Sequence, residues 1–333
     1  ERLRAIATKD RSPAGPRCML FVTGAESPSM TEARSAETPP DAPARVHVRI
    51  ALLLVAAAAA LLRCWHIAAD LPDFLEEAAP FRTALEMWAR SGGPAAWDPH
   101  SLVYPSFAIY LHLLLLKLGC WVACLVGTAR SPADWWVMAS LDPTSLVLTA
   151  RCLHVLCGAA TVFLAGAIAE RLRRGAGVPA ALLTAFSPTL LATSRLIYTD
   201  TVMAALALAA LERMLAWHER GGGVRLLTAV VLIGLAAGAK YPGAVALVPL
   251  AWLLWHRARI RGVWLWPAAA LGVAAVFLLT TPYALLDPLQ LHWDLALHGL
   301  TWPGDTSDRP RSPRCRSSSD ECGSISVRSA SRC

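Results

Sequence analysis

The sequence predicts an all-α polytopic membrane protein with about seven transmembrane helices and short juxtamembrane helices in the first outer loop. Three observations predict it. Only 17% of the 333 residues are charged and 55% are hydrophobic, at a mean hydropathy of +0.45, whereas an ordinary soluble domain is about 25% charged. The apolar residues come in long blocks almost free of charge, of the kind that crosses a bilayer core. Small groups of arginines separate the later blocks. A soluble enzyme, a secreted disulfide scaffold and a disordered chain are thereby excluded for the main body.

Three segments follow from the composition. Residues 1–45 are rich in Pro, Ser, Ala and mixed charge without a hydrophobic period, which predicts a disordered N-terminal segment. Within it, Met30-Thr-Glu-Ala-Arg reads as a start, which would make residues 1–29 upstream translation. Residues 46–304 form the transmembrane module. Composition changes abruptly near Gly304, and the Ser/Arg-rich stretch 305–333 predicts a disordered, non-native or truncated tail.

The apolar blocks run at 46–67, 107–127, 146–168, 178–197, 201–217, 226–239, 243–255 and 263–281. Three basic connectors lie between the later ones: Arg171, Arg173 and Arg174; His218, Arg220 and Arg225; Arg257, Arg259 and Arg261. Lys and Arg are retained on the cytoplasmic side, so all three connectors are expected there, with the N-terminus beside Arg45 and Arg49. The outer face then receives loop 70–106, the turns 195–201 and 240–243, and everything after Thr281. Loop 70–106 carries six acids against Arg82 and Arg90, which suits that side. The parity holds only if block 107–127 does not cross but lies at the outer interface or re-enters. Lys117, His112, Trp121, Trp135 and Trp136 fit an interfacial position.

The net charge of +7 is distributed as topological flanks, so no nucleic-acid partner is expected. Of the nine cysteines, Cys120, Cys124, Cys152 and Cys157 lie in apolar runs and Cys315, Cys322 and Cys333 in the tail. None has zinc spacing.

The predicted outer face collects polar residues from distant segments. Glu76 and Glu77 follow the first helix in Pro72-Asp-Phe-Leu-Glu-Glu-Ala, and Phe81-Arg-Thr-Ala-Leu-Glu-Met-Trp has the spacing of a short amphipathic helix ended by Gly92-Gly-Pro. Asp98-Pro-His-Ser-Leu-Val-Tyr-Pro-Ser then brings His100 and Tyr104 to the membrane surface, and Tyr283 returns there after the last span. Ser194-Arg-Leu-Ile-Tyr-Thr-Asp sets Arg195 and Asp200 at the outer end of a helix pair, and Lys240-Tyr-Pro-Gly leaves a cation at a helix break. Ionisable residues at the ends of apolar spans are functional candidates because they are costly unless solvated or paired. Each also has a structural reading. The glutamates serve as solvated loop acids, Arg195 and Asp200 as an ion pair, Lys240 as a snorkelling cation, His100 as a turn residue, and the tyrosines as interface anchors.

The acidic pair after the first span, the amphipathic helix ended by glycine and the Tyr-Pro-Ser run resemble the GT-C membrane glycosyltransferases. Ala150-Arg-Cys-Leu-His-Val-Leu-Cys-Gly, the Ser-Arg run ending at Asp200, Gly234-Leu-Ala-Ala-Gly-Ala-Lys-Tyr-Pro-Gly and Thr281-Pro-Tyr extend the resemblance over about residues 46–300. The chain is similar to the N-terminal portion of the group containing protein O-mannosyltransferases and the lipid A aminoarabinose transferase (glycosyltransferase family 39).

The resemblance implies a polyprenyl-phosphate-linked sugar donor, a lipid, glycan or protein hydroxyl acceptor, and transfer on the extracytoplasmic side of a bacterial inner or plasma membrane. It places the family's acidic pair on Glu76 and Glu77, with a Glu where the family usually has Asp, its later acid on Asp200 and its turn lysine on Lys240. Family members are commonly longer than this chain. In such chemistry a carboxylate takes the acceptor proton, here Glu76 or Glu77. Lys240 and Arg195 offset charge on the leaving phosphate, and His100, Tyr104 and Tyr283 line the substrates. Asp200 either orients Arg195 or joins the two glutamates in holding Mg²⁺ or Mn²⁺. A single displacement inverts the anomeric carbon. The competing readings are a polytopic transporter, which wants ionisable residues near the midplane, and an inactive fragment or scaffold.

Overall fold

The computed structural model describes residues 42–65, 67–68, 79–90, 97–258 and 264–300, with the side chains of 42–45, 257–258 and 297–300 excepted. The expected disordered segments 1–45 and 305–333 lie almost wholly outside the described residues. The chain divides into two units, Glu1–Arg45 and Val46–Cys333. Of the first, only residues 42–45 are described, as the opening turn of a helix. All packing below is within the second.

All regular structure among the described residues is helical, as the sequence predicts. The helices are α1 Ala42–Cys64, α2 Ala79–Ala89, α3 Ser106–Val126, α4 Pro132–Leu141, α5 Thr144–Leu172, α6 Gly177–Ala185 and α7 Pro188–Thr193. They continue as α8 Thr199–Arg220, α9 Gly223–Ala239, a 3-10 turn Tyr241–Ala246, α10 Leu247–Ala258, α11 Leu265–Thr280, α12 Tyr283–Leu286 and α13 Pro288–Leu300. By length and composition, Val46–Cys64, Ser106–Val126 and Thr144–Leu172 can cross a membrane, while Gly223–Ala239 and Leu265–Thr280 are apolar but shorter.

The expected seven continuous spans are thus not all present as such, for local reasons. Block 178–197 is broken at Ser187-Pro188, where the Ser187 hydroxyl accepts the Leu190 N–H to start α7. Block 243–255 opens as a 3-10 turn around Pro242, which has no N–H to continue a helix. Helix α8 is long enough but carries Asp200, Glu212, Arg213, Glu219 and Arg220.

Helices α1 and α5 run antiparallel. Leu52 meets Gly166 near one end, and the Ile67 carbonyl accepts from Arg151 Nη1 at 2.6 Å near the other. At 29 residues α5 is about 43 Å long, more than the hydrocarbon thickness, so its ends reach beyond it. Helices α8 and α9 form a second antiparallel pair. Ala210, Met214, Trp217, Val230 and Ile233 pack there with Leu250 and Leu254 of α10 and Val273 of α11. Leucines 53, 54 and 61 of α1, Leu114 and Leu125 of α3 and Leu271 and Leu279 of α11 stay exposed, the pattern of a bundle facing hydrocarbon.

Small residues let α9 and α11 touch. A Cβ on Gly234 would lie 2.5 Å from Val276 Cβ, and one on Gly238, a turn later, 2.6 Å from Thr280 Oγ1. This is the small-xxx-small spacing by which apolar helices approach without a hydrophobic driving force. Gly234→Val is expected to cost about 1–3 kcal/mol through overpacking. Unfolding of the protein in mixed micelles checks this, with Gly223→Ala, in open space, unchanged.

Two ends of the bundle have different chemistry. At one, Arg171 binds Glu212 Oε1 at 2.5 Å and Glu219 Oε2 at 2.7 Å, and Arg213 also pairs with Glu212. The first basic connector therefore meets the second, and Leu253 and Leu254 bring the end of α10 to the same place. The residues Arg259 and Arg261 of the third connector lie outside the described residues. At the other end lie Ile67, Arg151, Arg195, Asp200 and Lys240. Helix α3 starts at this second end, where the Ser106 N–H donates to Thr281 Oγ1 at 3.3 Å. It meets α5 over the first three turns of that helix. His112 stacks on His154 with centroids 5.4 Å apart, and Ile109, Leu116 and Cys120 share a core with Phe81 of α2, Trp135 of α4 and Val147 and Ala150 at the start of α5.

Candidate active site

The chain end of α1 builds the first part of the site. Arg63 closes its last turn and is completely buried. Its Nε donates to Ser194 Oγ at 2.8 Å and its Nη1 to the Ala59 carbonyl at 3.0 Å, while Nη2 is buried without a partner. Gly158 of α5 makes room for this contact, since a Cβ there would lie 2.6 Å from Ser194 Cβ and 3.1 Å from Arg63 Nε. Arg195 follows Ser194 in the turn between α7 and α8. Its Nη2 donates to the Leu62 carbonyl at 2.9 Å, and its Nε is likewise buried and unpartnered. The two guanidiniums are close enough to repel each other. Neither is bonded to a carboxylate among the described residues. Two cations with N–H groups turned away from water and no counter-ion among the described residues are costly, and an anion would satisfy both.

The second part is an ion pair across α8 and α9. Asp200 sits in the first turn of α8, where a carboxylate is favoured by the helix dipole. Lys240, just past α9, donates to Asp200 Oδ1 at 2.8 Å and Oδ2 at 2.7 Å. Arg195 is not the partner of Asp200. The five-residue separation of Arg195 and Asp200 made that pairing attractive in the sequence, but the antiparallel packing of α8 and α9 brings the Lys240 ammonium to both carboxylate oxygens. Lys240 is thus engaged, whereas Arg63 and Arg195 keep open donors among the described residues.

The third part is the segment 97–106. Asp98 closes a turn by accepting the His100 N–H at 2.8 Å, and its Oδ2 lies 3.1 Å from His100 Nδ1. His100 has a positive φ of 55° and an exposed side chain. This is its turn role, and a left-handed backbone there is uncommon for a residue other than glycine. The Leu102 N–H donates to Asp294 Oδ2 of α13 and its carbonyl accepts from Tyr241 OH, both at 2.6 Å. Tyr241 is adjacent to Lys240, so the loop is tied directly to the ion pair. Burial, with Asp294 as the second cause, pushes the Tyr241 phenol up to about 12, which keeps it a donor across neutral pH. Tyr104 is half-buried just before α3. Tyr283 opens α12 and is raised by burial and by the Asp98 carboxylate, with Arg90 acting against this. It therefore lies near the Asp98 turn.

Of the residues expected from sequence, Asp200 and Lys240 meet directly, Arg195 sits on the turn leading to Asp200, and His100, Tyr104 and Tyr283 belong to the loop side of the same end. Glu76 and Glu77 lie outside the described residues. Among the described residues no group of three His, Cys, Asp or Glu side chains is arranged to hold a metal ion. Sequence reasoning missed Arg63 and Tyr241. Arg63 meets the criterion that selected Arg195, an ionisable residue at the end of an apolar span.

No curated protein and no solved structure matches the chain. Residues 135–283 match the family model described as dolichyl-phosphate-mannose-protein mannosyltransferase. The matched stretch contains Arg195, Asp200, Lys240, Tyr241 and Tyr283 and leaves Arg63, Glu76, Glu77, His100 and Tyr104 on its N-terminal side. The match covers somewhat less than half of the chain, and with the all-helical fold and its apolar spans it supports a membrane protein similar to the GT-C glycosyltransferases.

Proposed function

We propose that this chain transfers a sugar from a polyprenyl-phosphate-linked donor to a hydroxyl acceptor on the extracytoplasmic side of the membrane, inverting the anomeric carbon. The observation that carries the reading is the buried Arg63–Arg195 pair with unpartnered N–H groups. A lipid phosphate supplies the missing anion while its polyprenyl tail stays in hydrocarbon. Donors aimed at charge that grows on the departing phosphate are stronger in the transition state than in the ground state.

In the proposed step the acceptor oxygen bonds to the anomeric carbon as that carbon's bond to the phosphate oxygen breaks. The acceptor proton passes to Glu76 or Glu77, and the leaving group departs as polyprenyl phosphate held by Arg63 and Arg195. Asp200 and Lys240 fix the turn that carries Arg195. Coordination of Mg²⁺ or Mn²⁺ by Glu76, Glu77 and Asp200 is the alternative use of these carboxylates. The hold of Lys240 on both Asp200 oxygens favours the metal-free one. His100, Tyr104 and Tyr283 are proposed to face the substrates from the loop side.

The proposed orientation puts the Arg171–Glu219 end and the N-terminus in the cytoplasm by the positive-inside tendency. Helix α3 then lies at the outer interface. Were it to cross, the start of α5 would fall at the cytoplasmic end, whereas Arg151 is bonded to Ile67 beyond the end of α1.

The reading is tested with the full chain in membranes, supplied with labelled sugar on polyprenyl phosphate. Transfer to an endogenous acceptor is expected, falling by about 10²–10⁴ in Glu76→Gln or Glu77→Gln, the usual worth of a general base. Unchanged transfer in both, and in Asp200→Asn, would sink the catalytic assignment.

A further inference from the structure

A pocket of about 490 Å³ lies apart from the Arg63–Arg195 and Asp200–Lys240 pairs, between α2, α3, α4 and the segment at Trp97. Three indoles line it, Trp88, Trp97 and Trp136, with Arg90 and Lys117. Trp88 and Trp136 are stacked with their planes 20° apart, and Lys117 Nζ lies 4.7 Å from the Trp97 ring centre and 5.8 Å from that of Trp88. Arg90 donates only to carbonyls, those of Asp98 at 2.7 Å and Glu86 at 3.3 Å. No carboxylate side chain among the described residues lines the pocket or pairs with either cation.

The volume falls in the range of small-molecule sites. Its surface combines broad aromatic faces, which attract the electropositive C–H groups of a ring lying flat on them, with two cations that make no ion pair among the described residues. Sugars carry such C–H faces, and a carboxylate or phosphate on the sugar supplies the charge. A plain interfacial anchor needs indoles turned to lipid, not three around one cavity that also holds two cations.

We propose that this pocket binds an anionic saccharide, either free or as the headgroup of a glycolipid, as the acceptor subsite. Segment 97–102 runs from the pocket to Leu102, which Tyr241 ties to the Lys240 turn. A sugar held on Trp97 would therefore be joined to the site by one short segment, residues 97–102. The acceptor role rests on the transferase reading, whereas anionic saccharide binding stands without it.

The test uses the full chain in nanodiscs, titrated with tri-galacturonate and, as its neutral counterpart, maltotriose, with calorimetric detection. Tri-galacturonate is expected to bind at least tenfold tighter than maltotriose. Trp97→Ala and Lys117→Gln should each weaken it at least fivefold, while Trp121→Ala, exposed on α3 outside the pocket, leaves it unchanged. Competition by nanodiscs carrying an acidic glycolipid, but not by phosphatidylglycerol alone, would assign the headgroup form. Equal affinity for both trisaccharides, or wild-type binding in both pocket variants, overturns the proposal. Tri-galacturonate binding with no transfer from any polyprenyl-phosphate donor would keep the saccharide site and remove only its acceptor role.

Discussion

Arg63→Gln is expected to lower sugar transfer by about 10²–10³, the cost of removing one preorganised donor from a developing anion. Its folded yield should hold or rise. The two outcomes separate a catalytic from a structural role. Arg63 is wholly buried beside a second guanidinium and donates to Ser194 and Ala59. If its purpose were to hold α1 against the turn at 194, a neutral replacement would weaken the bundle. If its purpose is to meet an anion, the empty site carries two repelling charges, and removing one relieves the protein while disabling it. Stability is given up at such sites because they are organised for the bound state. Arg63→Lys keeps the charge but not the fork of donors, and should recover only part of the activity. Transfer rates and thermal unfolding measured on the same preparations decide between the two roles.

The second large effect is expected at the pair joining α8 to α9. Lys240→Ala leaves the Asp200 carboxylate without the ammonium that contacts both its oxygens. The pair is only partly exposed, with 33% and 47% of the two side chains accessible, so its contribution is below that of a buried one. The effect on activity exceeds the effect on stability because Thr201, next in chain, donates to the Thr193 carbonyl beside Ser194. Loosening the first turn of α8 therefore moves the cation pair. Lys240→Ala and Asp200→Asn should each reduce transfer by about tenfold or more, a displacement effect of the kind that misplaced groups impose. The double variant should be little worse than either single one. Strict additivity of the two losses would show that the residues act separately.

The helical class was legible in the sequence because apolar run length and charge spacing are direct consequences of the bilayer as a solvent. The grouping of the basic connectors was legible for the same reason, and Arg171 bonded to Glu219 is its structural form. What could not be read was which charge meets which. Asp200 and Lys240 are 40 residues apart, and their contact depends on how α8 and α9 pack, which the Gly234 and Gly238 surface against α11 helps to set. Proximity in chain favoured Arg195 as the partner instead. The Ser187-Pro188 break is a Ser-Pro helix-start signal inside an apolar block, which a reading by block length passes over. Arg63 was overlooked because it ends a run of alanines and leucines and resembles a flanking charge. Only burial and the closeness of Arg195 distinguish it. The tryptophans of α2 and α4 were expected at the membrane interface, and their place as the walls of a common pocket was not legible, since the turn at Gly127 that folds α4 back onto α3 has no counterpart in hydropathy.

The central claim is that Arg63 and Arg195, which pair with no carboxylate among the described residues, receive a lipid phosphate. It is tested most directly by binding, without turnover, of a short-chain polyprenyl phosphate and the corresponding uncharged polyprenol to the full chain in nanodiscs. The account predicts that the phosphate binds at least tenfold tighter than the alcohol, and that Arg63→Gln with Arg195→Gln brings the two to equal affinity. Equal affinity in the wild-type protein, or a preference for phosphate that survives both substitutions, would contradict it.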